Sequence, residues 1–158
     1  MNEMTLFPAA PRKSPRSYLG NLLHHGCNHC RRGDLFVNRS AYSRGYMKMH
    51  EKCPVCSHPT EIEVGFYYGT GYVSYAVTIV ISIVSFVAWY ILVGVSANDN
   101  RIFYWLGANA LMILLLQPYL MRLSRTLWFS FFVPYNPHWE QLQPEHFERV
   151  NEELRNEW

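Results

Sequence analysis

The four cysteines of this 158-residue chain are the residues whose types and spacing could do chemistry. They form two Cys-x-x-Cys pairs, Cys27 with Cys30 and Cys53 with Cys56, and twenty-two residues separate the pairs. Each spacing allows a tight turn in which backbone amides hydrogen-bond the thiolates. Two such turns facing each other give a sulfur tetrahedron, which suits zinc at Zn–S distances of about 2.3 Å. The sequence therefore predicts one structural zinc ion bound by all four cysteines, in a closed site without a position for substrate.

Other uses of these cysteines remain open at this point. A four-thiolate site could hold iron, although zinc is favoured. A thioredoxin-like redox pair needs a βαβ unit, for which this part of the chain has no room. Structural disulfides need an oxidising compartment, which the charge pattern described below argues against. The nearby histidines are interpreted as surface groups or as groups packed around the ligands: His24, His25, His29, His50 and His58.

The segment that joins the two pairs contains both turn residues and β-forming residues, as in a zinc ribbon. A region of about 40 residues is too small to fold on a hydrophobic core alone, so a metal would supply the missing stability. We therefore predict a small β zinc ribbon over residues 19–64, preceded by a flexible arm at residues 1–18. Arg31 and Arg32 are interpreted as stabilising the anionic centre, with phosphate or nucleic-acid binding as the alternative.

Two long uncharged runs follow and predict an integral membrane protein. Residues 71–95 and residues 102–121 contain no Asp, Glu, Lys or Arg. As helices, both are long enough for a hydrocarbon core that requires about 20 residues. A lone strand would leave its backbone groups unpaired in lipid, so helices are required. A short polar connection joins the runs, and we predict a transmembrane hairpin over residues 65–125 with both ends on one side.

The distribution of Lys and Arg predicts the orientation of this hairpin. The connection between the runs has one Arg, whereas the other side has Lys48, Lys52, Arg122 and Arg125. Both termini are therefore predicted to be cytoplasmic, and in a bacterium the membrane would be the inner one. Neither run contains Asp, Glu, Lys, Arg or His, which argues against an ion or proton pathway made by this chain alone.

Small and hydroxylated residues in the runs predict close helix packing. Ser74, Thr78 and Ser82 recur at i, i+4 and i+8, and Asn109 would lie near the middle of the membrane. An unpaired amide is costly there, so Asn109 either bonds a serine of its own hairpin or faces another protein. The face formed by these four residues is a candidate contact for other integral membrane subunits, in addition to membrane lipid.

The C-terminal part predicts an interfacial segment at residues 126–143 and an acidic amphipathic helix at residues 144–158. From residue 134 onward there are six Glu and two Arg, whereas residues 1–64 have nine Lys or Arg and five Asp or Glu. An acidic helix is not attracted to anionic lipid. We therefore expect the predicted helix to contact a protein surface, either the basic head of the same chain or a partner. Its apolar stripe consists of Phe147, Val150, Leu154 and Trp158.

These motifs resemble a bacterial family known as domain of unknown function 983, over roughly residues 20–135. The resemblance implies a small two-span inner-membrane protein with a zinc ribbon, and it suggests a respiratory association through neighbouring cytochrome oxidase genes. One departure is Asn28, where many relatives have proline. The motifs that carry the resemblance are Cys27-x-x-Cys30, Gly33-x-Leu35-Phe36, Cys53-Pro54-x-Cys56 and GFYYGTGYVSY at residues 65–75.

The sequence contains no catalytic constellation, and the predicted function is non-enzymatic. We expect an accessory or assembly subunit of a bacterial inner-membrane complex, with a respiratory, cytochrome oxidase-linked complex as the candidate. The first alternative is a membrane-tethered ribbon that binds nucleic acid or ribosomes, although nucleic acid is the less favoured partner. The second is a thiol redox or metal-handling factor.

Overall fold

The computed structural model describes residues 14–63, 65–94 and 100–141 of the chain. The predicted acidic helix at residues 144–158, with its apolar stripe, lies outside these ranges, as does most of the predicted arm at residues 1–18. We call residues 14–63 the head and the two long helices that follow it the hairpin.

The described residues form three α-helices and two short 3₁₀ turns. Ser17 caps the first helix by accepting a hydrogen bond from the Gly20 amide at 3.2 Å. Both uncharged runs predicted to be helical lie largely within the two longer helices. The helices are α1 (Tyr18–Leu23), α2 (Thr70–Leu92) and α3 (Arg101–Phe132), and the 3₁₀ turns are Phe66–Gly69 and Trp139–Gln141.

The two helices of the hairpin are long and apolar enough to cross a membrane. Helix α2 has 23 residues and α3 has 32, compared with the requirement of about 20 for a span. None of the α2 side chains is fully buried, and large apolar residues such as Ile91 and Leu92 are exposed on the isolated chain. By length and composition, the hairpin therefore matches the prediction of two membrane spans.

Helix α3 continues beyond the predicted end of the hairpin at residue 125. It passes Pro118 without a break and ends at Phe132, which includes the first part of the segment predicted to lie along the membrane interface. Thr126 and Phe129 are buried in this extension. Packing against the head stabilises these turns, because most helical stability in proteins comes from tertiary contacts.

Polar side chains connect α2 and α3 in the middle of the hairpin and near its head end. Asn109 accepts a hydrogen bond from the Ser85 hydroxyl at 2.9 Å, and its amide nitrogen donates to Ser82 at 3.3 Å. Ser74 donates to Ser124 at 2.8 Å. The interpretation that Asn109 bonds serines of its own hairpin is therefore confirmed, whereas the contact of this face with another subunit stays a prediction.

The head has no β-strand among its described residues, so the predicted β ribbon is not shown. Turn residues are frequent between the cysteine pairs, and side chains such as Asn38, which donates to the carbonyls of Arg44 and Gly45 at 3.0 Å, satisfy the backbone there. Instead of strands, the head has three isolated antiparallel bridges, two of which close the base of a cysteine turn: Gly26 with Asp34, Phe36 with Met49, and Lys52 with Pro59.

The head is attached to the C-terminal half of α3 by a buried arginine. Arg122, which is 1% exposed, donates from Nε to the Tyr46 carbonyl at 2.8 Å and from Nη2 to the Asn38 carbonyl at 2.9 Å. Its third hydrogen bond, from Nη1 to the carbonyl of Arg39, is 3.4 Å long. The head and the chain after α3 therefore lie at the same end of the hairpin.

Candidate metal centre

The structure brings all four predicted ligands together. Every pair of sulfur atoms lies within 4.8 Å, and the Cys27–Cys56 and Cys30–Cys53 Sγ distances are both 3.8 Å. A tetrahedral zinc site with Zn–S bonds of about 2.3 Å has sulfur–sulfur edges of about 3.8 Å, since the edge is about 1.63 times the bond. The four cysteines therefore fit one tetrahedral metal ion such as zinc.

The two cysteine turns have the same backbone geometry. In each turn the amide four residues after the first cysteine donates back to its carbonyl: Arg31 to Cys27 at 2.8 Å and Ser57 to Cys53 at 2.9 Å. Arg31 and Ser57 also have positive φ angles, of 54° and 57°. This repeated turn directs both sulfurs of each pair toward the other pair, as the doubled spacing predicts.

The Gly33-x-Leu35-Phe36 motif forms the wall beside the sulfurs. A Cβ atom on Gly33 would overlap the Cys53 sulfur, so only glycine fits there without displacing the ligand. Leu35 and Phe36 are both buried in the same cluster as the cysteines. This segment is therefore a packing surface for the metal centre.

The thiols perturb one another because they are buried and close together. Hydrogen bonding with Cys30 raises the pKa of the Cys27 thiol well above its usual value. Hydrogen bonds with Cys27 lower the pKa of Cys30 and that of Cys53. Thiolate, the form that binds metal, is thus favoured at two of the four sulfurs by their neighbours. A bound cation would compensate the buried negative charge.

Helix α3 supplies the floor of the metal centre. Phe129, which has no exposed surface, and Val133 pack against the cysteine cluster, and the ring of Phe129 lies 6.0 Å from that of His58. Asn28 donates from its side chain to the Val133 carbonyl. This role of Phe129 is not apparent from the sequence, because neighbouring Phe131 and Phe132 have the same residue type and nothing in the spacing distinguishes them.

The two arginines beside the first cysteine turn hold the chain that follows α3. The Arg31 guanidinium lies 4.3 Å from the centre of the Tyr135 ring. Arg32 forms a salt bridge with Glu140 at 2.9 Å and lies 5.6 Å from the Trp139 ring. Both arginines thus join the first turn to residues 135–140.

Among the described histidines, His25, His29 and His58 pack near the cysteine turns, and none of the three contributes an atom to the four-sulfur group. The ring of His58 lies 4.6 Å from that of His29, and its Nδ1 is 2.7 Å from the Pro59 carbonyl oxygen. His25 is buried between Phe36 and Tyr119, and burial lowers its pKa to about 4. These positions fit the interpretation of His25, His29 and His58 as groups around the ligands.

Comparisons with known proteins return no relative for this chain. No protein family model matches the sequence, no curated protein matches it, and no solved structure matches the fold. Membership of the family known as domain of unknown function 983 therefore stays a prediction.

Proposed function

We propose that this chain is a non-enzymatic accessory or assembly subunit of a bacterial inner-membrane complex, with one structural zinc ion on the cytoplasmic side. The observation that carries the proposal is that the closed sulfur cluster packs directly on α3. The buried side chain of Phe129, which belongs to α3, is part of the same apolar cluster as the cysteines. A metal at this position fixes a rigid head at the end of a membrane hairpin. That arrangement suits a protein that holds other subunits in place.

Zinc in this centre would have a structural role. Four thiolates complete its tetrahedral coordination, so no position is left for a water molecule or a substrate. In small metal-binding domains, the free energy of metal binding stabilises the fold. The head fits this case, since its only helix is the six-residue α1.

The cytoplasmic position of the head is supported by charge and by chemistry. Arg122 and Arg125 follow the second uncharged run directly, and the positive-inside rule assigns such residues to the cytoplasm. Thiolate ligands also require a reducing compartment to stay free of disulfides. Because the head contacts the end of α3, one side of the membrane holds both of them.

Two surfaces are proposed to contact neighbouring subunits. The hairpin exposes apolar side chains on α2, such as Val80, Ile83 and Val84, which suit both lipid and another helix. The face of Ser74, Thr78, Ser82 and Asn109 would contribute through close packing, because its polar groups already bond within the hairpin. The apolar stripe beyond the described residues is the second surface: Phe147, Val150, Leu154 and Trp158.

The test is purification of the tagged full chain at its native level in a mild detergent, with metal analysis of the same sample. We expect other membrane proteins to co-purify in constant ratio, with about one zinc ion per chain. A Cys53→Ser variant is the matched control, since it should lose both the metal and the partners. Purification of the native chain alone would overturn the subunit proposal.

A metal-handling role is the second candidate, and the exposure of one ligand favours it. Cys56 is partly exposed, whereas Cys27, Cys30 and Cys53 are buried, so an acceptor could approach the metal from that side. Rapid loss of metal to a chelator, or the absorption spectrum of bound iron or copper, would support this role. A colourless zinc ion that exchanges slowly supports the structural role.

A further inference from the structure

A polar cavity of about 640 Å³ lies between the head and α3, and none of the four cysteines lines it. Its volume is in the range of cavities that bind small molecules, about 300–1,000 Å³. Nitrogen-bearing side chains from the residues that flank α1, from the segment after Phe36 and from α3 all line it. Those that matter here are Arg16, His24, His25, Arg39, His50 and Arg122.

The lining of this cavity is cationic. Four arginines and a single carboxylate, Asp34, line it, which gives a net formal charge of +3 with histidines neutral. Arg16 pairs with Asp34 at 2.9 Å, and Arg32 pairs with a glutamate beyond α3. Within the described residues, Arg39 and Arg122 form no salt bridge. The cavity therefore has positive charge without a matching anion from the described chain.

His25 provides a second and independent indication of a ligand. It lines the cavity, is only 8% exposed, and neither of its ring nitrogens has a hydrogen-bonding partner in the described part of the chain. Contacts with Phe36 and Tyr119 hold the ring. A buried polar group without a partner is costly, and a ligand that accepts a hydrogen bond from His25 would remove that cost.

The cavity lies at the level where the uncharged run of α3 ends. Tyr119 donates to the Leu23 carbonyl at 3.1 Å, and Tyr42 donates to the Leu115 carbonyl at 2.9 Å, so the head lies beside the last turns of this run. The head also exposes a large apolar side chain here, because Leu19 on α1 is 70% exposed. If α3 spans the membrane, lipid headgroups surround this level of the molecule.

We propose that this cavity binds one phosphate group, carried by an anionic phospholipid or by free phosphate. Guanidinium groups bind phosphate through paired hydrogen bonds, and Arg39 is the side chain available to close over it. His25 donates a further hydrogen bond from inside the cavity. The lipid source rests on the proposed membrane insertion of the hairpin, whereas the phosphate chemistry rests only on the cavity.

The experiment uses the full chain purified in a neutral, phosphate-free detergent. Native mass spectrometry follows its titration with phosphatidylglycerol, with zwitterionic phosphatidylcholine, or with inorganic phosphate. Arg39→Gln is expected to weaken binding of the preferred probe about tenfold, because a charge-assisted pair is lost. The matched control is Arg44→Gln, an exposed arginine of the same loop that does not line the cavity; it should change affinity by less than about twofold.

A His25→Phe variant tests the interior of the cavity while keeping an aromatic ring between Phe36 and Tyr119. Metal content establishes that the head is intact, and binding should still fall. Preference for phosphatidylglycerol supports a lipid headgroup as the source, and saturation by inorganic phosphate supports free phosphate. Equal losses in Arg39→Gln and Arg44→Gln, or no binding of either anionic probe, overturns the proposal. Binding is measured on the isolated chain, so this result does not depend on whether partner subunits co-purify.

Discussion

The head and the hairpin are ordered by different means. The head has one six-residue helix and three isolated bridges, and its buried cluster is centred on four sulfur atoms. The hairpin has helices of 23 and 32 residues whose backbone bonds are internal, and α2 buries no residue completely. We therefore expect the head to depend on a bound metal and on side-chain contacts, and the hairpin to depend on the hydrogen bonds within its own helices.

Helix α3 joins these two regions, because its last turns pack both against the head and against the segment that precedes α2. Trp128 donates to the Phe66 carbonyl at 2.7 Å, and Gly69 has no room for a Cβ against the Trp128 ring. This explains the glycine within the aromatic motif before α2. Changes in the head, in its contact with α3 and in the hairpin should therefore have separable effects.

Removal of the metal should have the largest effect and should be confined to the head. A strong chelator, or Cys53→Ser, leaves the remaining thiolates buried without a cation. We expect the head to lose its fold, since structural zinc sites contribute on the order of 10 kcal/mol. Hydrogen exchange should show loss of protection over residues 14–63 with helices α2 and α3 still protected.

Zinc added back after chelation is the control for this experiment, and it should restore protection in the native chain but not in Cys53→Ser. If both regions lose protection together, the head and the hairpin do not have separate sources of order.

Truncation of Phe129 should have the next largest effect. Phe129→Ala opens a cavity beneath the cysteine cluster, and such changes cost about 3–5 kcal/mol in a packed core. Phe131→Ala, on the same helix but 66% exposed, is the matched control and should leave the head unchanged. Denaturant unfolding, followed by loss of bound metal, measures both variants. Similar midpoints for the two would show that α3 does not support the metal centre.

Arg122→Met should separate the head from α3 while the metal centre stays formed. The change removes three hydrogen bonds to backbone carbonyls, which we expect to cost about 2–3 kcal/mol. Faster proteolysis within the loop of residues 38–46, with metal content unchanged, is the expected readout. Arg44→Met serves as the exposed control on that loop, and equal cleavage of the two variants would contradict the role of Arg122.

The smallest effect should come from Asn109→Leu, which acts inside the hairpin alone. Its two hydrogen bonds to Ser82 and Ser85 are lost, and such bonds in membranes contribute about 1 kcal/mol. Gln117→Leu makes the same amide-to-Leu change at an exposed position and should be neutral. Thermal unfolding of the helices in detergent measures both, and a change in metal retention would show that the head depends on this pairing.

Composition and spacing were sufficient to predict the features that depend on short stretches of sequence. The sulfur set follows from the doubled Cys-x-x-Cys pattern, and the two helices follow from the absence of charge over residues 71–95 and 102–121. The pairing of Asn109 with serines is one of the two alternatives that the sequence allowed, since an amide in an apolar environment needs a near partner.

The features that sequence did not predict depend on contacts between distant residues. Arg122 was predicted only as a positive charge near the membrane, whereas it is buried against carbonyls up to 84 residues away. The β-forming residues of the head predict strands, but strands are not what the described residues of the head form. Two other features determine its fold: the turn residues that interrupt the β-forming residues, and the surface of α3 against which the head packs. Asn28 was recognised only as a departure from proline, and its amide donates to the end of α3.

The attachment of the head to α3 has a consequence for the order of synthesis. The head is translated first, yet Phe129 and Val133, which complete its core, are made only at the end of α3. At about 5–20 residues per second, the interval between residue 63 and residue 133 is about 4–14 seconds. During this time the cysteine turns can bind metal, but the residues of α3 against which they pack have not yet been made. We expect chaperones and proteases to act on this protein mainly during this interval, while the head lacks its contacts with α3.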